Sequence, residues 1–309
     1  MPELPEVEYT ARQLRTEIVG AAITKAHIFW ERTIGHPALP DFLLEISGRR
    51  IEGVRRRGKF LLLDLSGELF LAIHRRMTGN LLLLPPGWRI DTSLQTGDPL
   101  AWSIRGPTFL PEIPTDNSYS RGLLQYCRVC FDFADGRRLL FTDPRKFGRI
   151  ELWPREQEAQ ALKDLGPEPL GAEFSVAYLS EALAKRRTGI KQTLLDQTVV
   201  AGVGNIYADE ALFYAHNHPL RSSASLTPDE VRALHEGIVT VLTLGIEHGG
   251  TSFNDYRDLW GEAGDNYDHV YVYKQEGRPC RRCGAQIERL VIAQRSAHFC
   301  PTCQRLTAE

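Results

Sequence analysis

Cys280-Arg281-Arg282-Cys283 and, sixteen residues later, Cys300-Pro301-Thr302-Cys303 form two Cys-x-x-Cys pairs near the end of this 309-residue chain. Each Cys-x-x-Cys turn brings two thiolates onto one tetrahedral ion, and two such turns close a site. The spacing therefore predicts a zinc ribbon with Cys280, Cys283, Cys300 and Cys303 as ligands of one Zn2+. Four cysteines leave no open position for water, so we expect this zinc to be structural.

Two disulfides are the alternative use of these four cysteines. We find no signal-peptide or transmembrane pattern in the sequence, which favours reduced thiols, a cytoplasmic location and no membrane partner. The remaining cysteines, Cys127 and Cys130, also have Cys-x-x-Cys spacing but lie in a predicted strand. Positions three apart on a strand face opposite sides, so we interpret both as packing residues.

The distribution of charge is more informative than its sum. The net charge is −2, and the hydrophobic and charged contents of 42% and 25% are typical of a globular protein with about two domains. Basic residues nevertheless cluster at 55–59, 145–149 and 185–187. Residues 273–305 hold seven Lys or Arg against two Glu. Any single cluster is equally well explained as a solvated face, but several of them beside a zinc ribbon favour nucleic-acid binding.

Apolar periodicity divides the chain into a β-rich and a helical part. Residues 4–19 repeat apolar positions at helical spacing, and seven short strands are predicted at 51–56, 60–65, 69–73, 80–84, 125–133, 139–141 and 150–153. Residues 85–122 interrupt the strands with six prolines and predict a long loop, functional or mobile. Helices are predicted at 156–164, 175–186, 188–196, 205–215 and 228–247, the last with a capping box and an N1 proline.

The fold class that follows is α+β and multidomain. We expect an N-terminal antiparallel β-sandwich with flanking helices over residues 2–153 and a linker over 154–174. A helical domain over 175–269 and the ribbon over 270–309 complete the chain. Strands joined by hairpin turns favour a sandwich because each sheet buries one face.

The N-terminus carries a possible nucleophile. If Met1 is removed, Pro2 presents a secondary amine with the carboxylate of Glu3 beside it. An α-amine has an ordinary pKa of about 8 and can attack an electrophilic carbon near neutral pH. A secondary amine also forms an iminium adduct directly. The alternative is that Pro2 only starts a helix and that Glu3 only stabilises its first turn.

Nearly the whole chain resembles the formamidopyrimidine-DNA glycosylase/endonuclease VIII family. The matching stretches are residues 2–8, 57–60, 74–79, 143–148, 165–170, 194–210, 249–251 and 277–304. Leu4 and the Met77-Thr78-Gly79 turn fit the branch that repairs oxidised purines. The resemblance implies that the helical domain is a helix-two-turn-helix domain, and that the chain is a bifunctional DNA glycosylase and abasic-site lyase of base excision repair.

The resemblance also implies roles for individual residues in catalysis. Pro2 matches the nucleophile that attacks the sugar C1′, and Glu3 matches the general acid/base. Lys59 matches a lysine near the lesion phosphate that assists β-elimination. Arg295, between the cysteine pairs, matches an arginine that contacts phosphate and assists the second elimination.

DNA contacts are implied at a second set of residues. Met77, Arg145 and Phe147 match side chains that fill the gap left by a flipped nucleotide, since wedges and a planar guanidinium replace lost stacking. Core packing is the alternative for Met77 and Phe147. Asn205 opens a helix after Gly202-Val203-Gly204; free helix amides bind phosphate, and the glycines let the DNA backbone approach. We also expect contacts from His74, Tyr126 and Arg186, and a base pocket near Glu6, Ile206 and Tyr207.

Two departures from the family pattern concern DNA contacts. The 85–122 insertion is longer than the family usually has, and Gln125-Tyr126-Cys127-Arg128 replaces a His-rich strand entry, so that Tyr126 or Arg128 stands in for histidine. Residues 251–268 resemble a lesion-capping loop of divergent sequence. We expect a monomer acting on duplex DNA with oxidised or abasic sites. The alternatives are an endonuclease VIII-like enzyme for oxidised pyrimidines and a non-catalytic zinc-ribbon DNA-binding protein.

Overall fold

The computed structural model describes residues 2–91, 107–111, 121–253 and 255–306. The chain divides into two compact units. The first comprises residues 1–2, 6–162 and 251–264, and the second comprises residues 3–5, 163–250 and 265–309. The second unit therefore includes the start of the N-terminal helix as well as the C-terminal ribbon.

Eight α-helices and thirteen β-strands are found in the described part of the chain. The helices are α1 Leu4–Ile18, α2 Leu39–Ile46, α3 Arg121–Leu124, α4 Glu158–Ala161, α5 Val176–Ala184, α6 Ile190–Leu195, α7 Asn205–Tyr214 and α8 Pro228–Glu247. The strands are β1 Ile23–Ile28, β2 Ile34–His36, β3 Ile51–Arg57, β4 Phe60–Leu65, β5 Leu69–His74, β6 Asn80–Leu84, β7 Trp88–Asp91, β8 Thr108–Pro111, β9 Cys127–Phe133, β10 Arg138–Thr142, β11 Arg149–Pro154, β12 Glu288–Ile292 and β13 Arg295–Phe299.

The first unit is the predicted β-sandwich. One sheet has the order β1-β9-β10-β6, and the other has the order β2-β11-β5-β4-β3. All pairs are antiparallel except β2 with β11, which is parallel. The sequence analysis missed β2 because three residues, Ile34–His36, are too few to show a period.

Apolar side chains from both sheets and from α1 and α2 form the core of the sandwich. Val7, Ala11, Leu14 and Ile18 of α1 are at most 1% exposed, as their spacing predicted. On the strands, alternate residues such as Leu61, Leu63 and Leu65 enter the same core.

The described part of the 85–122 insertion is a hairpin, not the continuous loop that was predicted. β7 and β8 pair from Trp88↔Pro111 to Asp91↔Thr108. Residues 92–106 and 112–120 lie outside the described part. Trp88 and Phe109 pack with Leu82, Leu84 and Leu140, because these leucines alternate with those that face the sandwich core.

Cys127 and Cys130 are packing residues, but the expectation that they face opposite sides was wrong. Both are fully buried and join the cluster around Trp88. A register shift between Phe141 and Thr142, opposite this end of β9, puts an extra residue between the two cysteines. A bulge of this kind breaks the two-residue alternation of the strand.

Helices and the ribbon make up the second unit. α8 begins with the predicted capping box, in which the Thr227 side chain accepts from the Glu230 amide and the Glu230 carboxylate accepts from the Thr227 amide. The ribbon hairpin β12–β13 closes through Ile292↔Arg295. No helix among the described residues is long and apolar enough to cross a membrane.

Candidate functional site

The first candidate group is the N-terminus with the start of α7. Pro2 and Glu3 precede α1, and both are buried. The Glu3 carboxylate accepts hydrogen bonds from the backbone amides of Ile206 at 3.0 Å and Tyr207 at 3.4 Å. These amides belong to the first turn of α7, where the helix dipole favours a negative charge. Glu3 is therefore held as a fixed, buried carboxylate directly after Pro2.

The two glycines before α7 leave room for the Glu3 carboxylate and for Leu4. A Cβ on Gly204 would lie 2.3–2.6 Å from the Glu3 carboxyl group, and a Cβ on Gly202 would lie 2.7 Å from Leu4. Gly202 also has a φ of +88°, and its carbonyl accepts from the Leu4 amide. Glu3 and Leu4 occupy the space beside these glycines, and Glu3 binds the amides of Ile206 and Tyr207; the approach of a DNA phosphate to this turn stays a prediction.

Asn205, at the start of α7, faces the ribbon. Its side-chain Nδ2 donates to Ser296 Oγ at 3.4 Å, and Ser296 follows Arg295 in β13. Arg295 itself is exposed. It follows a turn in which Ala293 and Gln294 have φ of 46° and 64°, and this left-handed pair matches the twist of a two-residue hairpin.

Tyr273 is a candidate that the sequence analysis missed. Burial raises its pKa to about 12, and a hydrogen bond from Asn205 opposes that shift. The Tyr273 ring also packs edge-on against His298 at 5.0 Å between ring centroids. Its phenol is therefore neutral near pH 7 and can donate a hydrogen bond beside Asn205.

The four ribbon cysteines fit one zinc ion. Their sulfur atoms all lie within 4.8 Å of one another, with Sγ···Sγ distances of 4.0 Å for Cys280–Cys303 and 3.4 Å for Cys283–Cys300. A tetrahedral ion with Zn–S bonds of about 2.3 Å needs sulfurs about 3.8 Å apart. A disulfide needs about 2.05 Å, and all four thiols are free. The zinc prediction is confirmed, and the ion is structural.

Buried polar contacts fix the ribbon hairpin to α6 and α7. Lys191 Nζ donates to Asp209 Oδ1 and to the Ser296 carbonyl, and the His298 amide donates to Asp209 Oδ2 at 2.9 Å. Burial lowers the pKa of Lys191, and the Asp209 charge opposes that shift. Because Ser296 adjoins Arg295, this cluster sets the position of the arginine.

Glu210 forms a second anchor between α7 and the chain entering the ribbon. Its buried carboxylate accepts from the backbone amides of Tyr271, Val272 and Tyr273 at 2.8–3.0 Å. Burial raises the pKa of Glu210, and the three amides oppose the shift. The anchor fixes the backbone that carries Tyr273.

In the first unit, Lys59 lies in the turn that enters β4, and His74 ends the neighbouring strand β5. Gly58 and Lys59 form the two-residue turn between β3 and β4, with Arg57 paired to Phe60. Lys59 is 7% exposed. His74 ends β5, where it pairs with Phe60, and its ring packs edge-on against the Phe60 ring.

The His74 imidazole is neutral in a defined tautomer. Burial lowers its pKa to about 3, and the nearby charges of Arg76, Lys59 and Arg75 add to the shift. The Arg76 amide donates to Nδ1 at 3.0 Å, so the proton is on Nε2. His74 thus presents one N–H donor without a charge.

Met77, Arg145 and Phe147 occur on two connections of the sandwich. Met77 is 40% exposed and Phe147 is 51% exposed, so neither is a core residue. Arg145 is also exposed, and its guanidinium lies 5.2 Å from the centre of the Phe147 ring.

The other predicted DNA-contacting residues differ in accessibility. Tyr126 is half-buried, whereas Arg128 is fully buried and its Nε donates to the Asp143 carbonyl at 2.9 Å. Arg128 therefore cannot replace a surface histidine without moving. Arg186 pairs with Asp196 at 3.0 Å and is half-buried.

The residues predicted to line a base pocket are all buried. Glu6 is 1% exposed and accepts from the Thr251 amide at 2.8 Å, so it holds the start of the 251–264 segment. Ile206 is 6% and Tyr207 is 1% exposed. A Cβ on Gly245 of α8 would lie 2.6 Å from the Tyr207 ring, so this ring packs on α8.

Several described residues of segment 251–264 bind the sandwich and α1. Asn80 Nδ2 donates to the Asp255 carbonyl, and the Arg257 amide donates to Asn80 Oδ1. Gln13 of α1 binds the Asp258 side chain and the Leu259 amide. Sequence periodicity gave no signal for these contacts, because they connect residues far apart in the chain.

A β-sandwich, a helix-two-turn-helix domain and a four-cysteine ribbon define the class of this protein. The family model of the formamidopyrimidine-DNA glycosylase N-terminal domain matches residues 1–150. The model of that family's H2TH domain matches residues 165–257, and a zinc finger found in FPG and IleRS matches residues 277–306. The chain belongs to the formamidopyrimidine-DNA glycosylase family.

Relatives and solved structures agree with this membership. The chain is 43% identical to the formamidopyrimidine-DNA glycosylase of Chloroflexus aurantiacus over 305 residues, 98% of each chain. It is 40% identical to that of a Roseiflexus species over 306 residues, 99% of this chain and 100% of the relative. The Lactococcus lactis Fpg in complex with abasic-site DNA has a TM-score of 0.83 and 32% identity, covering 98% of this chain and 100% of that one.

Proposed function

We propose that the chain is a bifunctional DNA glycosylase and abasic-site lyase that removes oxidised purines, including 8-oxoguanine and formamidopyrimidines, from duplex DNA in a bacterial cytosol. The observation that carries this proposal is the buried Glu3 carboxylate, fixed by two amides of α7 directly after Pro2. Solved relatives support it, since one is a complex with Fapy-dG DNA and another with carbocyclic 8-oxo-G DNA.

The reaction begins at the amine of Pro2 after removal of Met1. The nitrogen lone pair forms a bond to C1′ of the flipped nucleotide, and the bond from C1′ to the base breaks. Glu3 then protonates the ring oxygen O4′ as the C1′–O4′ bond breaks, and the nitrogen lone pair forms the second bond of an iminium between Pro2 and C1′. Protonation of the leaving base and loss of the amine proton balance the charges.

Elimination from the iminium breaks the strand. The positive nitrogen acidifies the C2′ proton, and its loss expels the 3′ phosphate; a second elimination expels the 5′ phosphate. We assign Lys59 and Arg295 to the phosphates that leave, because a fixed cation stabilises the developing charge. Uncharged hydrogen bonds to the DNA backbone come from three further side chains, Asn205, Tyr273 and neutral His74.

Duplex binding uses the remaining candidates. Met77, Arg145 and Phe147 fill the gap left by the flipped nucleotide, in keeping with their exposure. Arg186 contacts the DNA backbone after its guanidinium leaves Asp196 and binds a phosphate. Tyr126 contacts the DNA strand beside the lesion. Glu6, Ile206 and Tyr207 border the base, and the loop at residues 251–268 covers it.

A cleavage panel tests this proposal. Duplexes carrying 8-oxoguanine, a formamidopyrimidine or thymine glycol are incubated with the protein and resolved on denaturing gels. We expect cleavage at the two purine lesions with products of β- and δ-elimination. Preference for thymine glycol would instead make the protein an endonuclease VIII-like enzyme, and binding without cleavage would make it a non-catalytic DNA-binding protein.

A further inference from the structure

Two connections cross between the sheets side by side. Residues 75–79, the first crossing, connect β5 to β6; residues 143–148, the second crossing, connect β10 to β11. The strands they leave and enter are paired, through His74↔Arg149 in one sheet and Asn80↔Thr142 in the other. The first crossing carries Met77, and the second carries Arg145 and Phe147.

The Asp143 carboxylate binds both crossings. Oδ2 accepts from the Gly148 amide at 2.8 Å, and Oδ1 accepts from the Arg145 amide at 3.1 Å, which closes the second crossing into a compact turn. Oδ1 also accepts from the hydroxyl of Thr78 in the first crossing. Asp143 is fully buried and Thr78 is 6% exposed, so water does not compete for these bonds.

A buried cation stands beside this carboxylate. Arg128 is fully buried, and its Nε donates to the Asp143 carbonyl at 2.9 Å. Burial lowers the pKa of Arg128, and the Asp143 charge opposes the shift. The bond from Nε therefore ties the main chain of Asp143, at the start of the second crossing, to Arg128 of β9.

The tips of both crossings point outward from the buried hydrogen bonds of Asp143. Arg76, next to Met77, and Lys146, between Arg145 and Phe147, have left-handed φ of 54° and 60°. The ammonium group of Lys146 lies over the Trp30 ring, 4.2 Å from its centre. The Lys146 side chain is thereby directed away from Arg145 and Phe147. A non-glycine residue with a left-handed φ costs conformational energy and persists only where its surroundings fix it. The hydrogen bonds of Asp143 to Thr78, Arg145 and Gly148 provide this constraint.

We propose that Asp143 is a positioning residue that couples the two crossings through Thr78, so that Met77, Arg145 and Phe147 enter the duplex as one wedge. This inference rests on the gap-filling role in the proposed function. A flipped nucleotide leaves one gap that side chains from two separate connections must fill together. A shared carboxylate sets their spacing before DNA arrives, which reduces the ordering needed on binding.

A pair of substitutions at Thr78 tests the coupling. Thr78→Val removes the hydroxyl that reaches Asp143 but keeps the side-chain shape, and Thr78→Ser keeps the hydroxyl as the matched control. We expect Thr78→Val to lower the preference for abasic-analogue duplex over intact duplex by about tenfold, the usual effect of losing a hydrogen bond to a charged group. Thr78→Ser should keep the wild-type preference.

A mutant cycle separates coupling from general damage. In the wild-type background, Met77→Ala and Phe147→Ala should weaken binding to the damaged duplex non-additively, and in the Thr78→Val background they should become additive. Amide exchange in the free protein gives a readout without DNA. Thr78→Val should speed exchange at Gly79 and Gly148 together, while amides of β4 and β5 stay protected.

The outcomes distinguish this inference from the proposed function. Unchanged preference together with unchanged exchange in Thr78→Val overturns the coupling. Equal weakening of intact and damaged duplexes also overturns it, because that pattern marks a loss of general structure. A wild-type protein that binds both duplexes equally contradicts the proposed function instead, and the exchange at Gly79 and Gly148 then decides the coupling by itself.

Discussion

Gly204 leaves the space that the Glu3 carboxylate occupies: a Cβ at position 204 would lie 2.3 Å from the carboxyl carbon of Glu3. The contact makes Gly204 a determinant of where the Glu3 carboxylate, the proposed general acid/base, is held. It also explains why glycine is needed at a residue whose φ of −132° any amino acid can adopt.

Gly204→Ala should displace Glu3 and lower base excision by about 100-fold, the scale of a lost general acid/base. Glu3→Gln should give a similar loss, because the amide keeps the shape but cannot carry the proton. Both are checked by single-turnover excision of 8-oxoguanine, with duplex affinity measured in parallel. Gly122→Ala is the matched control, since a Cβ there would have no atom of the described residues within 4 Å. Normal excision by Gly204→Ala would refute the role of this contact.

Zinc removal should weaken DNA binding while the sandwich stays folded. The ribbon cysteines hold the hairpin that carries Arg295, and the contacts of Asp209 and Gln304 attach the ribbon to the rest of the second unit. We expect one zinc per chain by metal analysis. Chelation should lower duplex affinity and expose the thiols to reagent, with β-sheet circular dichroism retained. A Cys283→Ser protein that keeps full zinc and normal affinity contradicts this prediction.

His74 should stay neutral throughout the pH range in which the protein is stable. Because its folded pKa of about 3 lies below the ordinary 6.5, its contribution to stability is fully present above pH 6.5. That contribution is lost as the pH falls from 6.5 towards 3. We expect the His74 ring resonances not to titrate between about pH 5.5 and about 8. His74→Gln should lose less thermal stability than the wild type on acidification, and an equal loss would contradict the shift.

Lys59 and Asn205 should differ in their effect on salt dependence. Lys59→Ala should lower the slope of log K against log salt by about one unit, since it removes one phosphate-neutralising charge. Asn205→Ala should weaken binding without changing the slope, because an amide releases no counterion. Binding isotherms at several salt concentrations measure both. If the slope is the same in Lys59→Ala as in the wild type, Lys59 does not contact phosphate.

Local patterns predicted the elements of the fold well. The apolar period of α1, the alternation of β4 and the capping box of α8 depend on residues within one turn or one strand, so they are visible in the sequence. The ribbon was equally visible, because its cysteine spacing reflects the geometry of one ion. The strands β1 and β2 were missed because their apolar positions are few and partly exposed.

Contacts between distant residues could not be predicted in the same way. Nothing in the sequence shows that Gly202 and Gly204 also leave room for Leu4 and Glu3. Asp143 and Thr78 were each part of a recognised stretch, but nothing in the spacing shows that they share a hydrogen bond. Tyr273 was missed because an aromatic residue in an apolar stretch looks like a core residue.

Borohydride trapping with peptide mapping identifies the nucleophile of this protein. The protein is incubated with abasic-site duplex and borohydride, which reduces an iminium to a stable amine, and the adduct is digested and analysed by mass spectrometry. We predict a covalent adduct on the peptide that begins at Pro2, a weaker adduct with Pro2→Gly and none with protein that retains Met1. Trapping at full yield by protein that retains Met1, or an adduct on a lysine, would contradict Pro2 as the nucleophile.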